Sequence, residues 1–462
     1  MREKLSKVLM LSLLVGSGVG CLPLLMQSSR ALLTLGIILG GVVITAVVLY
    51  RPYLGLAFTL AYMVVALNFL PELSHQALGL LILTIIVCLS ILLRAGVSRK
   101  VSSFATPLDL PMLALLGWAL ISSSYGVLRG NDLYDLVGDF FQVAIFVIFY
   151  YFAKLVIRER KHLTSFLFAM GIPVVALSLS DFRSYLLGKK FTWVAAETAG
   201  GVIYRLQAPV TLYVMIFLIL AICLILYSRS LARSILLGFL IVFLGGMLIL
   251  SFTRSFLMGF LGAGVFMLVI QLSKNKLKLA LYSTLAILGV FSLLFALQQS
   301  RVSGGFSILG VLTSRFEDIF QGSDIATNLR VSEMATSLKL IASHPLTGLG
   351  PGGKYWVFNI QIPAWEWRDY IHNSYLFLAL KMGLPALAIY LWLAGLFLFK
   401  GLKRVASLKD NYLQGLGYGF ISVYFGLLVT SLSFPMLHYF LLAPYLGMSM
   451  AAVFFLDRLE AT

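Results

Sequence analysis

Long apolar runs, following one another along most of the chain, constrain this protein more than any other feature of its sequence. A helix that crosses a bilayer needs about 20 mostly apolar residues, because its backbone polar groups must pair with one another where water is absent. The sequence contains 14 runs of about this length, of which the shortest and most closely spaced could merge or re-enter the membrane. It therefore predicts an all-α polytopic membrane protein with 12–14 transmembrane helices.

The composition supports this fold class and excludes others. The chain is 60% apolar and 11% charged, whereas soluble domains are roughly 45–50% apolar and about 25% charged. A water-soluble enzyme, a disordered chain and a secreted disulfide scaffold are therefore excluded. Cys21, Cys88 and Cys223 lie inside apolar runs, so we expect them to pack rather than to form disulfides or bind a metal.

The distribution of charge predicts the orientation in the membrane. With the N-terminus in the cytoplasm, the inner segments carry 21 of the 35 Lys and Arg residues but only 6 of the 18 Asp and Glu residues, a net charge of +15 against +2 outside. This is the positive-inside pattern, and an even number of spans also returns the C-terminus to the cytoplasm. The overall charge of +17 is thus explained by loops facing anionic lipid, and nucleic-acid binding is not expected.

The predicted spans divide the chain into four regions. These are N-terminal transmembrane helices at 1–200, central transmembrane helices at 201–297, an extracytoplasmic segment at 298–372, and three C-terminal transmembrane helices at 373–462 with the last span at 435–456. An outer segment as long as 298–372 is more than a turn, and loops of that length are usually functional or disordered. Within it, Leu329, Met334, Leu338 and Ile341 follow helical spacing, which predicts an amphipathic helix over 328–343 on or near the membrane.

A glycine-rich run, GLGPGGK at 348–354, follows this predicted helix. It nearly spells a phosphate-binding loop, but no strand precedes it and Tyr355 replaces the required Ser or Thr. A turn that needs the permissive backbone of glycine is the better interpretation. Aromatic residues at such a position are typical of membrane-interface anchors, with stacking on sugar rings as the alternative; those that follow the run are Tyr355, Trp356, Trp365, Trp367 and Tyr370.

Three side chains are the main candidates for chemistry. His372 opens the span after the outer segment, where histidine is suited to general-base catalysis, although capping a helix end is the alternative. Arg254 lies between two apolar runs with almost no loop, where an arginine either serves a function or snorkels to the interface. Arg330 begins the predicted outer helix. A guanidinium group suits phosphate, so these arginines, with others predicted outside, could bind a pyrophosphate; the others are Arg205, Arg315 and Arg368.

No metal site or cofactor is predicted. The histidines contain no i,i+4 pair and no HExxH motif, and no Asp-x-Asp pair lies on the predicted outer face. Asp132, Asp135 and Asp139 are spaced as a solvated helix end. If phosphate is bound here, arginines must bind it.

These residues resemble the O-antigen ligase and O-antigen polymerase superfamily. The ligase signature is His, then Asn, Ser or Gln, nine residues, and Gly-x-x-Gly/Thr/Tyr. Here His372 and Asn373 are followed by nine residues and by GLPA, so Ala386 is the one departure. The PLTGLG run, the TRS at 253–255 and the outer segment before the last three spans add to the resemblance.

The resemblance implies a helical fold of the C-type glycosyltransferase class. It also implies metal-independent transfer of an undecaprenyl-pyrophosphate-linked glycan to an acceptor sugar hydroxyl. In that reaction His372 is the base, Arg254 and Arg330 hold the pyrophosphate, and further substrate contacts come from Arg205, Arg315 and Asn373. The implied partners are the lipid-linked donor, an acceptor that is either lipid A-core or a lipid-linked repeat unit, and membrane lipids. The implied location is the bacterial inner membrane, with the active site outside the cytoplasm.

Several functions fit this reading. A ligase and a polysaccharide polymerase share the machinery, and Ala386 slightly favours a polymerase or a ligase-like enzyme. A protein O-oligosaccharyltransferase of the same superfamily is a further alternative. A flippase or transporter of lipid-linked glycans belongs to a different class, and it would need charges buried in several spans, which most of the predicted spans lack.

Overall fold

The computed structural model divides the chain into two compact units. One is formed by Met1–Ser102 and Leu155–Pro173, the other by Ser103–Lys154 and Val174–Thr462. The residues that the structure describes are 45, 47–69, 73–98, 105–187, 193–198, 201–206, 210–271, 325–359, 364–439 and 441–460. The predicted spans at 8–26 and 279–297, with Cys21 and Arg315, lie outside them.

Helices and two short β-hairpins follow one another along the described chain. The helices are α1 (Pro52–Phe69), α2 (Leu73–Ser98), α3 (Asp109–Leu128), α4 (Leu133–Val156), α5 (Arg160–Leu186), α6 (Thr211–Tyr227), α7 (Leu231–Leu250), α8 (Arg254–Gln271), α9 (Ile325–Ser343), α10 (Ser374–Ala406), α11 (Asn411–Thr430), α12 (Ala443–Val453) and α13 (Leu456–Glu460). The strands are β1 (Trp193–Thr198), β2 (Gly201–Leu206), β3 (Tyr355–Asn359) and β4 (Ala364–Arg368), and a 3-10 turn covers Met436–His438.

The fold class predicted from the sequence is confirmed. Among the described residues, six helices are long and apolar enough to cross a membrane, namely α3, α4, α5, α7, α10 and α11. Apolar side chains on them remain exposed, such as Leu236 and Phe239 of α7 at 70% and 72%. Exposed apolar surface of this kind is what a lipid-facing helix presents. The antiparallel hairpins β1–β2 and β3–β4 were not predicted, and β3–β4 falls in the predicted extracytoplasmic segment at 298–372.

Glycines let the helices at the centre of the second unit pack closely. A Cβ at Gly259 of α8 would lie 2.8 Å from the Gly426 carbonyl of α11, and one at Gly419 of α11 would lie 2.8 Å from Leu220 of α6. Small residues at such positions allow backbones to approach, which is a main source of attraction between helices in a membrane. Helices α6, α8 and α11 therefore form a tight group in this unit.

Helix α10 is broken at Gly383, where φ is 81° and ψ is 172°. A residue with a side chain cannot take this place, because its Cβ would lie 2.0 Å from the carbonyl oxygen of Leu346. Pro385 follows and has no N–H to donate. The break therefore leaves backbone groups without their helical partners in the middle of an apolar helix.

The glycine-rich turn and α3 supply the missing partners. The Leu349 N–H donates to the Leu380 carbonyl at 2.7 Å, and the Leu384 N–H donates to the Pro345 carbonyl at 2.8 Å. Trp118 Nε1 of α3 donates to the Met382 carbonyl at 2.8 Å. Each of these bonds pairs a group next to the break, so the turn at 344–353 is seated directly on α10.

The run that nearly spells a phosphate-binding loop is a turn that docks on helices. Gly348, Gly350 and Gly352 have φ values of 62°, 79° and 76°. A Cβ on Gly348 would lie 2.4 Å from the Leu380 carbonyl oxygen, so close approach as well as positive φ requires glycine. This confirms the interpretation as a glycine-dependent turn.

The last predicted span is shorter than expected. Instead of a continuous helix over 435–456, the chain makes the 3-10 turn and then the 11-residue α12. Prolines at 435 and 444 interrupt helical hydrogen bonding. Residues 431–437 bind the starts of α8 and α10 in the second unit, as described below.

Substituting alanine for Gly383 tests the break. Gly383→Ala places a Cβ against the Leu346 carbonyl at a positive φ, and positive φ alone costs a non-glycine residue about 1–2 kcal/mol. We expect a clear fall in the melting temperature of the protein in detergent. Gly395→Ala on the same helix is the control, because a Cβ there meets nothing within 4 Å. Equal melting temperatures for the two variants would contradict this account of α10.

Candidate functional site

His372 lies immediately before α10, and Asn373 begins that helix. The Asn373 Oδ1 accepts hydrogen bonds from the N–H groups of Tyr375 and Leu376, both at 3.0 Å, and its Nδ2 donates to the Leu432 carbonyl at 3.1 Å. An asparagine cap satisfies N–H groups that have no partner within the helix. The residue that caps α10 is therefore Asn373 and not His372, for which capping was the alternative role.

Glu333 of α9 holds the imidazole of His372. The Nδ1 of His372 lies 2.7 Å from Oε2 of Glu333, and the backbone N–H of His372 points to the same oxygen at 3.4 Å. The Glu333 side chain is fully buried, whereas that of His372 is 25% exposed. The ring of Tyr370 meets the imidazole edge-on, with centroids 5.4 Å apart. The histidine is therefore fixed through one nitrogen and still accessible.

Arg368 of β4 pairs with the same buried carboxylate. Its guanidinium contacts Oε1 of Glu333 and also binds Oε2 of Glu366, with Nη2 at 2.8 Å and Nε at 3.1 Å. Burial alone would lower the pKa of Arg368, but the hydrogen bond to Glu366 and the attraction of Glu333 raise it above its usual value. Arg368 therefore pairs with two carboxylates of the protein, and its binding of a pyrophosphate remains a prediction.

The hairpin β3–β4 carries Arg368 to this position. Tyr355 pairs with Arg368 in the register, and its hydroxyl donates to the Tyr370 carbonyl at 3.0 Å. Tyr355 and Val357 face inward and are buried in a cluster with residues of α9 and α10. The hairpin therefore links the glycine-rich turn to the residues around His372.

The opposite face of the hairpin is aromatic and exposed. Trp356 and Trp367 lie 4.9 Å apart between ring centroids, and Phe358 and Trp365 lie 5.6 Å apart. The three tryptophans are more than half exposed. Such a face suits both interpretations made from the sequence, an anchor at the membrane interface and a platform for sugar rings.

The helix predicted at 328–343 is present as α9, but its inner face differs from the predicted one. The buried residues are Leu329, Glu333, Ser337 and Ile341, four residues apart, while Leu338 is 53% exposed. Leu329 and Ile341 of the predicted face are buried, whereas Met334 and Leu338 are not, because the prediction considered apolar residues alone. Two polar side chains occupy the buried stripe because Glu333 has an arginine and a histidine to bind there.

Arg330 and Arg254 lie on two different helices, α9 and α8. Arg330 precedes Glu333 by one turn of α9, and residues three apart are neighbours on a helix surface, with about 5–6 Å between their Cβ atoms. Arg254 is the first residue of α8. Both side chains are partly buried.

The segment 431–437 connects the start of α8 to the start of α10. Ser255, next to Arg254, binds Ser433 with the two hydroxyl oxygens 2.9 Å apart. The backbone N–H of Ser374 donates to the Ser431 carbonyl at 2.9 Å, and the Ser374 hydroxyl donates to the Phe434 carbonyl at 3.0 Å. The backbones that carry Arg254 and His372 are thus bound to one short segment.

The remaining predicted substrate contacts are not brought to the site by any described contact. Arg205 belongs to β2, and only its backbone is described. Arg315 lies outside the described residues. Asn373 is buried and its amide caps α10, so its contact with substrate remains a prediction.

A buried ion pair supports the glycine-rich turn. Lys381 of α10 lies 2.9 Å from Oδ2 of Asp139 and donates to the Gly353 carbonyl at 2.8 Å, while the Gly352 N–H donates to Asp139 at 2.8 Å. The Lys381 and Asp139 side chains are 0% and 5% exposed. The prediction of Asp139 as part of a solvated helix end is therefore wrong, because the turn and Lys381 cover it.

Lys354, at the end of the same turn, binds an aspartate rather than remaining available for phosphate. Its Nζ lies 2.7 Å from Oδ2 of Asp135. That hydrogen bond raises the pKa of Lys354. This pair is more exposed than the one formed by Lys381 and Asp139.

The sequence did not identify Glu333, Lys381 or Asp139 as residues that bind His372 or support the glycine-rich turn. Glu333 carried one signal, because it lies on the stripe of Leu329 and Ile341 and one turn from Arg330. Lys381 was the basic residue inside a predicted span, which is a recognised sign of a functional or paired charge. Asp139 carried no comparable signal.

Comparison with known families agrees with the resemblance found in the sequence. Residues 239–391 match a family model described as O-antigen ligase. The matched segment includes Arg254, Arg330, Glu333 and His372, so it contains the elements described above. No curated protein matches the chain. The match confirms the resemblance to the O-antigen ligase and polymerase superfamily.

A double-mutant cycle tests the buried ion pair. Lys381→Ala or Asp139→Ala leaves an uncompensated buried charge, and breaking such a pair typically costs about 3–5 kcal/mol. The double variant removes both charges, so we expect it to lose much less stability than the sum of the two single losses. The measurement is thermal unfolding of the protein in detergent.

The pair of Lys354 and Asp135, which is more exposed than that of Lys381 and Asp139, is the control for this cycle. Alanine substitutions at Lys354 and Asp135 are expected to lower the stability much less, because solvent screens this pair. Additive losses at Lys381 and Asp139 would show that the two side chains do not depend on each other.

Proposed function

We propose that this chain is a glycosyltransferase that moves an undecaprenyl-pyrophosphate-linked glycan to an acceptor sugar hydroxyl, starting from the match of residues 239–391 to the O-antigen ligase family. The acceptor is lipid A-core for a ligase, or a lipid-linked repeat unit for a polysaccharide polymerase. The reaction takes place at the outer face of the bacterial inner membrane and needs no metal ion. The excess of Lys and Arg in the predicted inner segments supports this orientation, with both termini in the cytoplasm.

One observation carries the proposal. Helix α9 bears Arg330 and, one turn later, the carboxylate that holds His372 through Nδ1 at 2.7 Å. A group suited to proton transfer and a group suited to phosphate are therefore fixed by the same helix. His372 lies at the start of the apolar helix α10, where a lipid-linked donor and the sugar of the acceptor can meet.

The proposed reaction has two coordinated parts. The imidazole of His372 takes the proton from the acceptor hydroxyl, and the oxygen attacks C1 of the donor sugar. The bond between C1 and the pyrophosphate oxygen breaks, and the pyrophosphate leaves with an added negative charge. Arg254 and Arg330 stabilise that charge, and positioned cations of this kind act mainly on the transition state.

Replacing His372 tests the proton transfer. General-base catalysis typically contributes about 10²–10⁴-fold, so His372→Ala is expected to lose at least about 100-fold in kcat. The assay supplies an undecaprenyl-pyrophosphate oligosaccharide and an acceptor to the reconstituted protein, with and without EDTA. His344→Ala is the matched control, since His344 ends α9 and binds the Ser343 hydroxyl at 2.9 Å.

The products of this assay decide between the related functions. A single addition indicates a ligase, and a ladder indicates a polymerase. Activity that disappears with EDTA would contradict metal independence. A lipid-linked glycan that changes leaflet without forming a new bond would indicate a flippase and would overturn the proposed role of His372.

Replacing the arginines tests the binding of the pyrophosphate. Arg254→Ala and Arg330→Ala are each expected to lower kcat about 10²–10³-fold, the usual loss when one stabilising donor is removed from a charged transition state. Lysine at either position is expected to restore part of this loss, because it keeps the charge without the planar fork. Arg129→Ala is the control, since this exposed arginine lies between α3 and α4 and its guanidinium lies over the Tyr125 ring. Unchanged kcat for both alanine variants would show that other groups bind the pyrophosphate.

A further inference from the structure

Both carboxylate oxygens of Glu333 bind other side chains, one of which is His372. Glu333 is fully buried, and its two carboxylate oxygens have different partners. Oε1 faces the guanidinium of Arg368, and Oε2 lies 2.7 Å from Nδ1 of His372. The backbone N–H of His372 approaches the same Oε2 at 3.4 Å.

Burying a carboxylate costs free energy, and the ion pair with Arg368 offsets that cost for Glu333. An unpaired buried charge would be lost by protonation. Arg368 supplies a cation that stays charged at any working pH, and Glu366 holds it from the other side at 2.8 Å. Asn359 in turn binds Glu366 at 2.9 Å, which fixes this outer carboxylate on the hairpin. The hairpin thus delivers a positioned counterion to Glu333.

The contact with Nδ1 has a direct chemical consequence. An anionic oxygen accepts a hydrogen bond, so Nδ1 carries the proton and Nε2 is left with the lone pair. The same anion also stabilises the imidazolium ion that forms when Nε2 takes up a proton. A carboxylate orients a catalytic histidine in the same way in other enzymes.

We propose that Glu333 is a positioning residue, which fixes His372 in the tautomer that accepts a proton at Nε2, and that Arg368 is the counterion that keeps Glu333 ionised. The proposal rests on the proposed function, in which His372 is the base. It deepens that function by extending the site to α9 and to the β3–β4 hairpin. No covalent step is added, because the proton taken up by Nε2 comes from the acceptor hydroxyl.

The other groups facing His372 do not supply the same effect. Tyr370 lies edge-on to the imidazole, and Tyr355 binds the Tyr370 carbonyl. Burial raises the pKa of both tyrosines, so they remain neutral over the working range. Arg368 and Glu366 act on His372 only through Glu333. The anion that touches the imidazole is therefore Glu333.

The test compares Glu333→Gln with the wild type in two assays. In glycan transfer, Glu333→Gln is expected to lower kcat at least about 10-fold with little change in KM, since the loss of an orienting carboxylate costs up to about 10⁴-fold in a comparable case. The acidic limb of the pH–rate profile should move to lower pH, because removal of the anion favours the neutral imidazole. Asp135→Asn is the control, since it removes a carboxylate that pairs with Lys354 rather than with His372 or Arg368, and it should keep the wild-type profile.

A second assay does not depend on the activity of the protein. Diethyl pyrocarbonate modifies neutral imidazole, and peptide mass spectrometry can follow its reaction with His372 across pH. The rise in reactivity with pH should occur at lower pH in Glu333→Gln than in the wild type. If the wild type transfers no glycan but this shift is seen, the pairing stands and the proposed function fails. If the wild type is active and Glu333→Gln keeps both its kcat and its reactivity profile, the role of Glu333 is wrong.

A double variant separates positioning from charge balance. Glu333→Gln leaves Arg368 buried with one partner fewer, so part of its effect could be a loss of folding. Glu333→Gln with Arg368→Gln removes both charges and is expected to recover the melting temperature but not kcat. Recovery of kcat together with stability would show that the pair is structural only.

Discussion

The break in α10 is the constraint on which the second unit depends. Backbone N–H and C=O groups in an apolar environment must be paired, and a broken helix inside a membrane protein is tolerated only where other groups supply the missing bonds. Here the turn at 344–353 binds on both sides of Gly383, and Trp118 binds a further carbonyl. The turn is therefore fixed relative to α10. Because β3 begins directly after the turn, the position of the hairpin is fixed with it.

Two buried ion pairs lie next to the turn and the hairpin, and each binds a different part of the second unit. Lys381 and Asp139 pair beneath the turn and bind its backbone, so they hold the support of the hairpin in place. Glu333 pairs with Arg368 and also binds His372, so in the proposed reaction this pair acts on the base. In both cases each buried charge has an opposite charge and hydrogen bonds, which is the condition under which burial is tolerated. The hairpin joins the turn to Arg368, because β3 follows the turn and β4 carries Arg368.

The sequence indicated the candidate residues for chemistry but not the residues around them. His372, Arg254 and Arg330 stood out because a polar or charged residue at the end of an apolar run is costly and therefore informative. The helix at 325–343 and the glycine-dependent turn were also predictable from spacing and from residue type. The β3–β4 hairpin was not predicted, because an aromatic-rich stretch beside a membrane has the same composition as an interfacial anchor. Glu333 was missed because a stripe of apolar residues was taken as the buried face, and only a partner from elsewhere in the chain can make a glutamate part of that face.

The sequence by itself determined the membrane-spanning class, the chemical types available at the site and the place of His372 before an apolar helix. Those properties are local, because apolar length and the cost of a charge in lipid depend on the residues themselves. The tertiary structure alone decided which side chains meet. His372 contacts Glu333 of α9 and the nearby Tyr370. The segment 431–437 binds both Ser374, near His372, and Ser255, near Arg254. Pairing across such distances depends on how helices pack and where a helix breaks, and no single stretch of sequence encodes it.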